Sequence, residues 1–220
     1  MRYLFFVMAS IVLLASVWIA LTQGQVLGPE GSMNSPVRNI IYVHVPSSIC
    51  ALMCFVVLVV AGIGYLSTSK DAWDRLAIAA AEVGTVFAII LNVTGSIFSR
   101  AEWNTWWTAA SPRLVTSAVL WFLYVVYLIL RSSLSGSRQK IGRICAVFSL
   151  IAFLDVPMVI LSARFIPDPM HRRSFEFGSS WQRAAFFLGM ISISLLAAYF
   201  IWLRTCVLKN KDMLERDLIS

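Results

Sequence analysis

Apolar residues gather in six long runs along the 220-residue chain, at about residues 3–21, 45–66, 76–98, 114–130, 141–163 and 184–204. Within each run the apolar positions are continuous rather than alternating, which selects helices over barrel strands. About 20 apolar residues cross a bilayer as a helix, and lipid offers the backbone no hydrogen-bond partner outside the chain itself. The pattern predicts an all-α integral membrane protein with six transmembrane helices, forming a single membrane domain over residues 1–220. The first run is longer than a signal-peptide core, and Thr22, Gln23 and Gly24 follow it without an A-x-A site. It reads as a retained span.

Six crossings put both termini on one side, together with loops 67–75 and 131–140 and a tail over 205–220. That side carries eleven Lys and Arg against seven on the other, so the bias makes both termini cytoplasmic. Composition agrees with a membrane chain: 59% hydrophobic, 13% charged, mean hydropathy +0.79. Soluble domains run near 25% charged. The spans leave about 100 residues for loops and tails, too few for a large extramembrane catalytic domain. A net charge of +7 marks loop orientation and anionic headgroups in such a chain. The implied partner is a lipid bilayer, with no nucleic acid. Of the four cysteines, Cys50 and Cys54 share a helix face at i, i+4, a spacing open to a metal or redox pair. Buried cysteine more often serves as a small hydrophobe, and that reading is preferred.

The outer loops, residues 22–44, 99–113 and 164–183, hold the features that suggest chemistry. The two histidines of the chain, His44 and His171, both fall on this face. Either alone reads as an interfacial polar residue. Together, two neutral imidazoles can fill both axial positions of a haem iron or part of a transition-metal site. The outer tryptophan-rich loop 99–113 contains Trp103, Trp106 and Trp107 at 0, +3 and +4, so a helical turn would show all three indoles on one face. Arg100 and Arg113 lie beside them. Tryptophan is common at membrane interfaces, but an aromatic platform edged with guanidinium groups also suits a flat apolar ligand carrying carboxylates, such as a porphyrin. Within the spans, Glu82 and Asp155 are the ionisable residues. Asp155 lies two positions before Pro157 and would help shape a helix break or face a polar cavity, a structural role being preferred to a proton relay. Asn92, Thr94 and Ser96 read as interhelical glue.

The succession of YVHVP opening the second span, TGS near the end of the third, a W-x-x-W-W loop running into P-R-L, and a histidine in the last outer loop resembles the CcmC family, the haem-handling protein C of cytochrome c maturation. The resemblance covers nearly the whole chain. The family's tryptophan-rich (WWD) segment has the form W-G-x-W-W-x-W-D-x-R-L-T, and here it reads WNTWWTAASPRL. Trp103, Trp106, Trp107, Arg113 and Leu114 match. Asn104 replaces the glycine, Ala109-Ala110-Ser111 stands where the Trp-Asp pair is expected, and one residue is inserted.

The resemblance implies a haem carrier rather than an enzyme, in a bacterial cytoplasmic (inner) membrane with its site on the periplasmic side. A transiently bound b-type haem would take His44 and His171 as axial ligands under the tryptophan loop. It would then pass to a membrane-anchored haem chaperone. The family works beside an ATP-binding cassette ATPase, that ATPase's membrane subunit and a small single-span partner. The chain has no G-x-x-x-x-G-K-[ST] phosphate loop, so an ATP-driven step would belong to a partner. Other classes predict different features. A small membrane transporter expects midplane polar residues and repeated halves, a haem-dependent membrane enzyme expects acid-base work from the two histidines, and a divergent assembly subunit expects no haem.

Overall fold

The computed structural model describes residues 2–22, 36–167 and 179–218. Among these every regular element is helical. The helices are α1 (Arg2–Thr22), α2 (Ile41–Thr68), entered through a 3-10 turn (Pro36–Ile40), α3 (Asp71–Trp103), α4 (Pro112–Ser133), α5 (Arg138–Ala152), α6 (Asp155–Arg164) and α7 (Ser180–Asp217). Five helical segments are long and apolar enough to cross a membrane, with α5 and the start of α6 together counting as one, Arg138–Ser162. The first is represented by a shorter apolar helix, Phe6–Thr22.

The centre of the molecule is the pair α2 and α3. Along α3, Ala77, Ala80, Ala81, Gly84 and Ala88 recur at helical spacing and are buried. Small side chains let two backbones approach closely, which is how helices gain contact when lipid supplies no hydrophobic drive. Ala51, Cys54, Phe55, Leu58 and Ala61 of α2 belong to the same buried cluster. Cys50, Cys54 and Cys145 are buried and unbridged, and no metal-binding group of three or more His, Cys, Asp or Glu occurs among the described residues. Cys50, Cys54 and Cys145 pack within the buried helix cluster. At Gly84 a Cβ would fall 2.4 Å from the Tyr124 ring. That missing atom lets Tyr124 of α4 reach across and donate to the Ala51 carbonyl at 2.6 Å.

The other helices surround this pair. α5 packs on α2, α4 on α3, and α7 on α1, α2 and α3. Ser16 of α1 donates to the Ala185 carbonyl of α7 at 2.7 Å. The fifth apolar run is not one straight helix, because α5 ends at Ala152 and α6 begins at Asp155. Pro157 has no N–H and its ring clashes with the carbonyl four residues upstream, that of Phe153. The Phe153 carbonyl instead accepts from Val156 N–H at 3.0 Å, and the chain tightens there. Asp155 sits in the first turn after this break, and its Oδ2 is buried with no hydrogen-bond partner among the described residues.

Charged side chains tie the helices at one end. Arg131 (α4) forms a two-bond pair with Asp74 (α3), one bond at 2.8 Å. Arg138 (α5) binds both oxygens of Asp212 (α7) at 2.7 and 2.8 Å, and Arg75 donates to the same carboxylate at 2.8 Å. Glu82, one of the two acidic residues within the apolar runs, pairs with Arg204 of α7, one bond at 2.8 Å. Asp74 is only 2% exposed, so its ion pair is a buried one. Removing one partner of such a pair strands the other charge, at a cost of roughly 3–5 kcal/mol. Asp74→Ala is expected to lower stability by that amount in chemical unfolding of the detergent-solubilised protein. The double change Asp74→Ala with Arg131→Met should lose distinctly less.

Candidate functional site

At the opposite end of the bundle, the start of α2 meets the end of α3. The 3-10 turn carries Arg38, whose guanidinium donates two hydrogen bonds to Glu102, both at 2.9 Å. Bidentate pairs of this kind fix orientation as well as distance. Arg38 precedes His44 by six residues and Glu102 directly precedes Trp103, so the pair fastens the histidine segment to the tryptophan segment. Arg38 is thereby engaged with Glu102 rather than simply adding to the charge of an outer loop.

His44, on the second turn of α2, is half-buried. Its Nδ1 lies 2.9 Å from Thr94 Oγ1 on α3. Thr94 donates in turn to the Ile90 carbonyl at 2.6 Å. At Gly95 an added Cβ would fall 3.1 Å from His44 Cε1, so the ring is laid against the backbone of α3. Thr94 and Gly95 are the residues that reading the sequence for chemistry missed. Thr94 does bridge two helices, as does Asn92, which bonds the Ser117 carbonyl at 3.2 Å, but its partner is the site histidine. The T-G-S motif was the available signal.

The tryptophan segment departs from the helical-turn expectation. α3 ends at Trp103, and Asn104 takes a left-handed conformation at φ +56°, its N–H bonding the Arg100 carbonyl. Only Trp103 is helical, while Trp106 and Trp107 lie in the irregular stretch 104–111. The three indoles therefore do not form the stripe that their spacing suggests. A left-handed C-terminal cap is a position for glycine or, less often, asparagine, which accounts for Asn104 standing where the family's segment has glycine. Arg100 secures the turn: its Nη1 donates to the Asn104 carbonyl at 2.6 Å, and its guanidinium lies 6.0 Å from the Trp106 ring centroid. Trp103 packs edge-on against Phe98, with centroids 5.5 Å apart. Trp106 and Trp107 remain 59% and 48% exposed, so two large apolar faces stand open, one of them beside the Arg100 guanidinium. Arg113, in the first turn of α4, is half-buried.

His171 falls within 168–178, outside the described residues. An apolar groove of about 600 Å³ runs between α4, at residues 112–116, and α6 with its tail, at residues 158–166, with Ala109 at its edge. Neither His44 nor the tryptophans line it. The groove lies beside the site rather than within it.

Residues 1–219 match the family model described as heme exporter protein C, CcmC. The chain belongs to this family. Heme exporter protein C of Escherichia coli (strain K12) is 34% identical over 159 residues, covering 71% of this chain and 62% of the relative. The match thus spans less than two thirds of that relative's length. Heme exporter protein C of Paracoccus denitrificans (strain Pd 1222) is 24% identical over 198 residues, covering 88% and 80%. A protein of Marchantia polymorpha named as a putative cytochrome c biosynthesis ccmC-like mitochondrial protein is 24% identical, covering 86% and 74%.

The left-handed cap yields a direct expectation. A β-branched side chain at positive φ costs roughly 1–2 kcal/mol, so Asn104→Val should lower the unfolding midpoint and shift the tryptophan emission. Asn104→Gly should leave both unchanged.

Proposed function

We propose that this chain is a membrane haem-handling protein of cytochrome c biogenesis. In this reading it crosses a bacterial inner membrane six times, with both termini in the cytoplasm. Haem is cargo, held transiently as haem b at the periplasmic face with His44 and His171 as axial ligands. Trp106 and Trp107 supply apolar faces for the macrocycle, Trp103 anchors their loop to α3, and Arg113 serves a propionate. The cargo then passes to a membrane-anchored haem chaperone. Partners of the same system, an ATP-binding cassette ATPase with its membrane subunit and a small single-span protein, supply any ATP-driven step.

The observation that carries the reading is the setting of His44. Metal-ligating histidines almost always donate the second ring N–H to a neighbouring acceptor, and His44 has its Nδ1 on Thr94. That ring stands on the segment fastened by Arg38 and Glu102 to the exposed tryptophan loop, in a chain that matches the family over residues 1–219. The residues present fit a haem: an oriented imidazole, open indole faces and the Arg100 guanidinium beside one of them.

The purified detergent-solubilised protein should take up haem with a low-spin, bis-histidine absorption spectrum. His44→Ala and His171→Ala should each weaken haem affinity roughly tenfold or more and shift the Soret band. A second reading, an assembly subunit that binds no haem, draws on the replacement of the family's Trp-Asp pair by Ala109-Ala110-Ser111. It prevails if the protein titrated with haem gives no Soret shift that depends on either histidine while still assembling with its partners.

A further inference from the structure

The hydroxyl of Thr94 has one proton and three close neighbours: the Ile90 carbonyl at 2.6 Å, the Leu91 carbonyl at 3.2 Å and His44 Nδ1 at 2.9 Å. Two oxygens at 2.6 Å need a proton between them, and a carbonyl has none to give. The Thr94 proton is therefore committed to its own helix, and the oxygen offers only lone pairs to the imidazole. His44 Nδ1 must be the donor. In a neutral imidazole the other nitrogen then carries the lone pair. Gly95 completes the constraint, since a Cβ there would press on Cε1 at 3.1 Å.

We infer that Thr94 and Gly95 are positioning residues that hold His44 as its Nδ1–H tautomer, so that Nε2 is the nitrogen that ligates the cargo iron. This rests on the haem-handling reading for the identity of the metal, though not for the tautomer itself. The acceptor is also a neutral alcohol. A carboxylate in its place would make a stronger, charge-assisted bond and raise the basicity of the ligating nitrogen. A hydroxyl orients the ring while adding little electron donation, which suits a ligand that must let its cargo go.

The test uses the full-length protein in detergent, with ¹⁵N-labelled histidine and the variants Thr94→Val, Thr94→Ser and Gly95→Ala. Without haem, the ¹⁵N shifts of His44 should report the Nδ1–H form in the wild type and in Thr94→Ser, and a mixture of tautomers in Thr94→Val. With haem, release to excess apomyoglobin should be roughly 10–100-fold faster in Thr94→Val and Gly95→Ala than in the wild type. Thr94→Ser should release at the wild-type rate. An Nε2–H tautomer in the wild type overturns the inference, as does a Thr94→Val protein that keeps both the wild-type shifts and the wild-type release rate. If His44→Ala leaves the haem spectrum untouched, the proposed ligation falls while the tautomer assignment is still decided by the haem-free spectra.

Discussion

The closeness of α2 and α3 governs the rest of this molecule. Alanine and glycine along α3 bring two helical backbones into a contact that larger side chains would hold apart, and in lipid such contact is a main source of association. Three helices are arranged directly on that pair: Tyr124 of α4 reaches over Gly84 to an α2 carbonyl, and α5 and α7 lie against the outside, with α1 packed on α7 and α6 on α4. The same approach, continued towards the far end, brings a threonine hydroxyl and a bare glycine up to an imidazole. Packing and site geometry here have a single cause.

The helices could be read from the chain because lipid removes the ambiguity that short apolar runs have in soluble proteins. A continuous apolar run in a membrane has to satisfy its own backbone. The interruption in the fifth run was partly legible, since Pro157 announces it, and the compensating Val156-to-Phe153 bond shows how it is absorbed. The ion pairs were not legible. Arg38 and Glu102 are 64 residues apart, and Glu82 and Arg204 are 122 apart. Single-sequence charge counting sees such residues as orientation signals or costly intramembrane acids, never as partners.

The candidate residues stood out in the sequence, but the local geometry of the tryptophan segment was misread. His44 stood out because histidine is scarce in this chain, and the tryptophans because three occur within five residues. Their spacing implied a helical face, but periodicity arguments hold only while the helix lasts. At Asn104 the backbone turns left-handed and the periodicity stops. Thr94 was read as interhelical glue, which it is, but the sequence does not say that the helix-to-helix partner is the histidine. Its hydroxyl bonds its own backbone, at the Ile90 carbonyl, and the lone pairs left over are what reach the histidine.

The break before α6 has a mechanical meaning. Upstream of it, α5 packs on α2 and shares the dense interior. Downstream, α6 meets chiefly α4: Val156 still reaches the buried cluster, Ser162 and Thr116 hydroxyls lie 3.2 Å apart, and Met158, Leu161 and Phe165 line the groove against α4. The two halves of the fifth apolar run are thus held by different neighbours, α5 largely by α2 and α6 largely by α4.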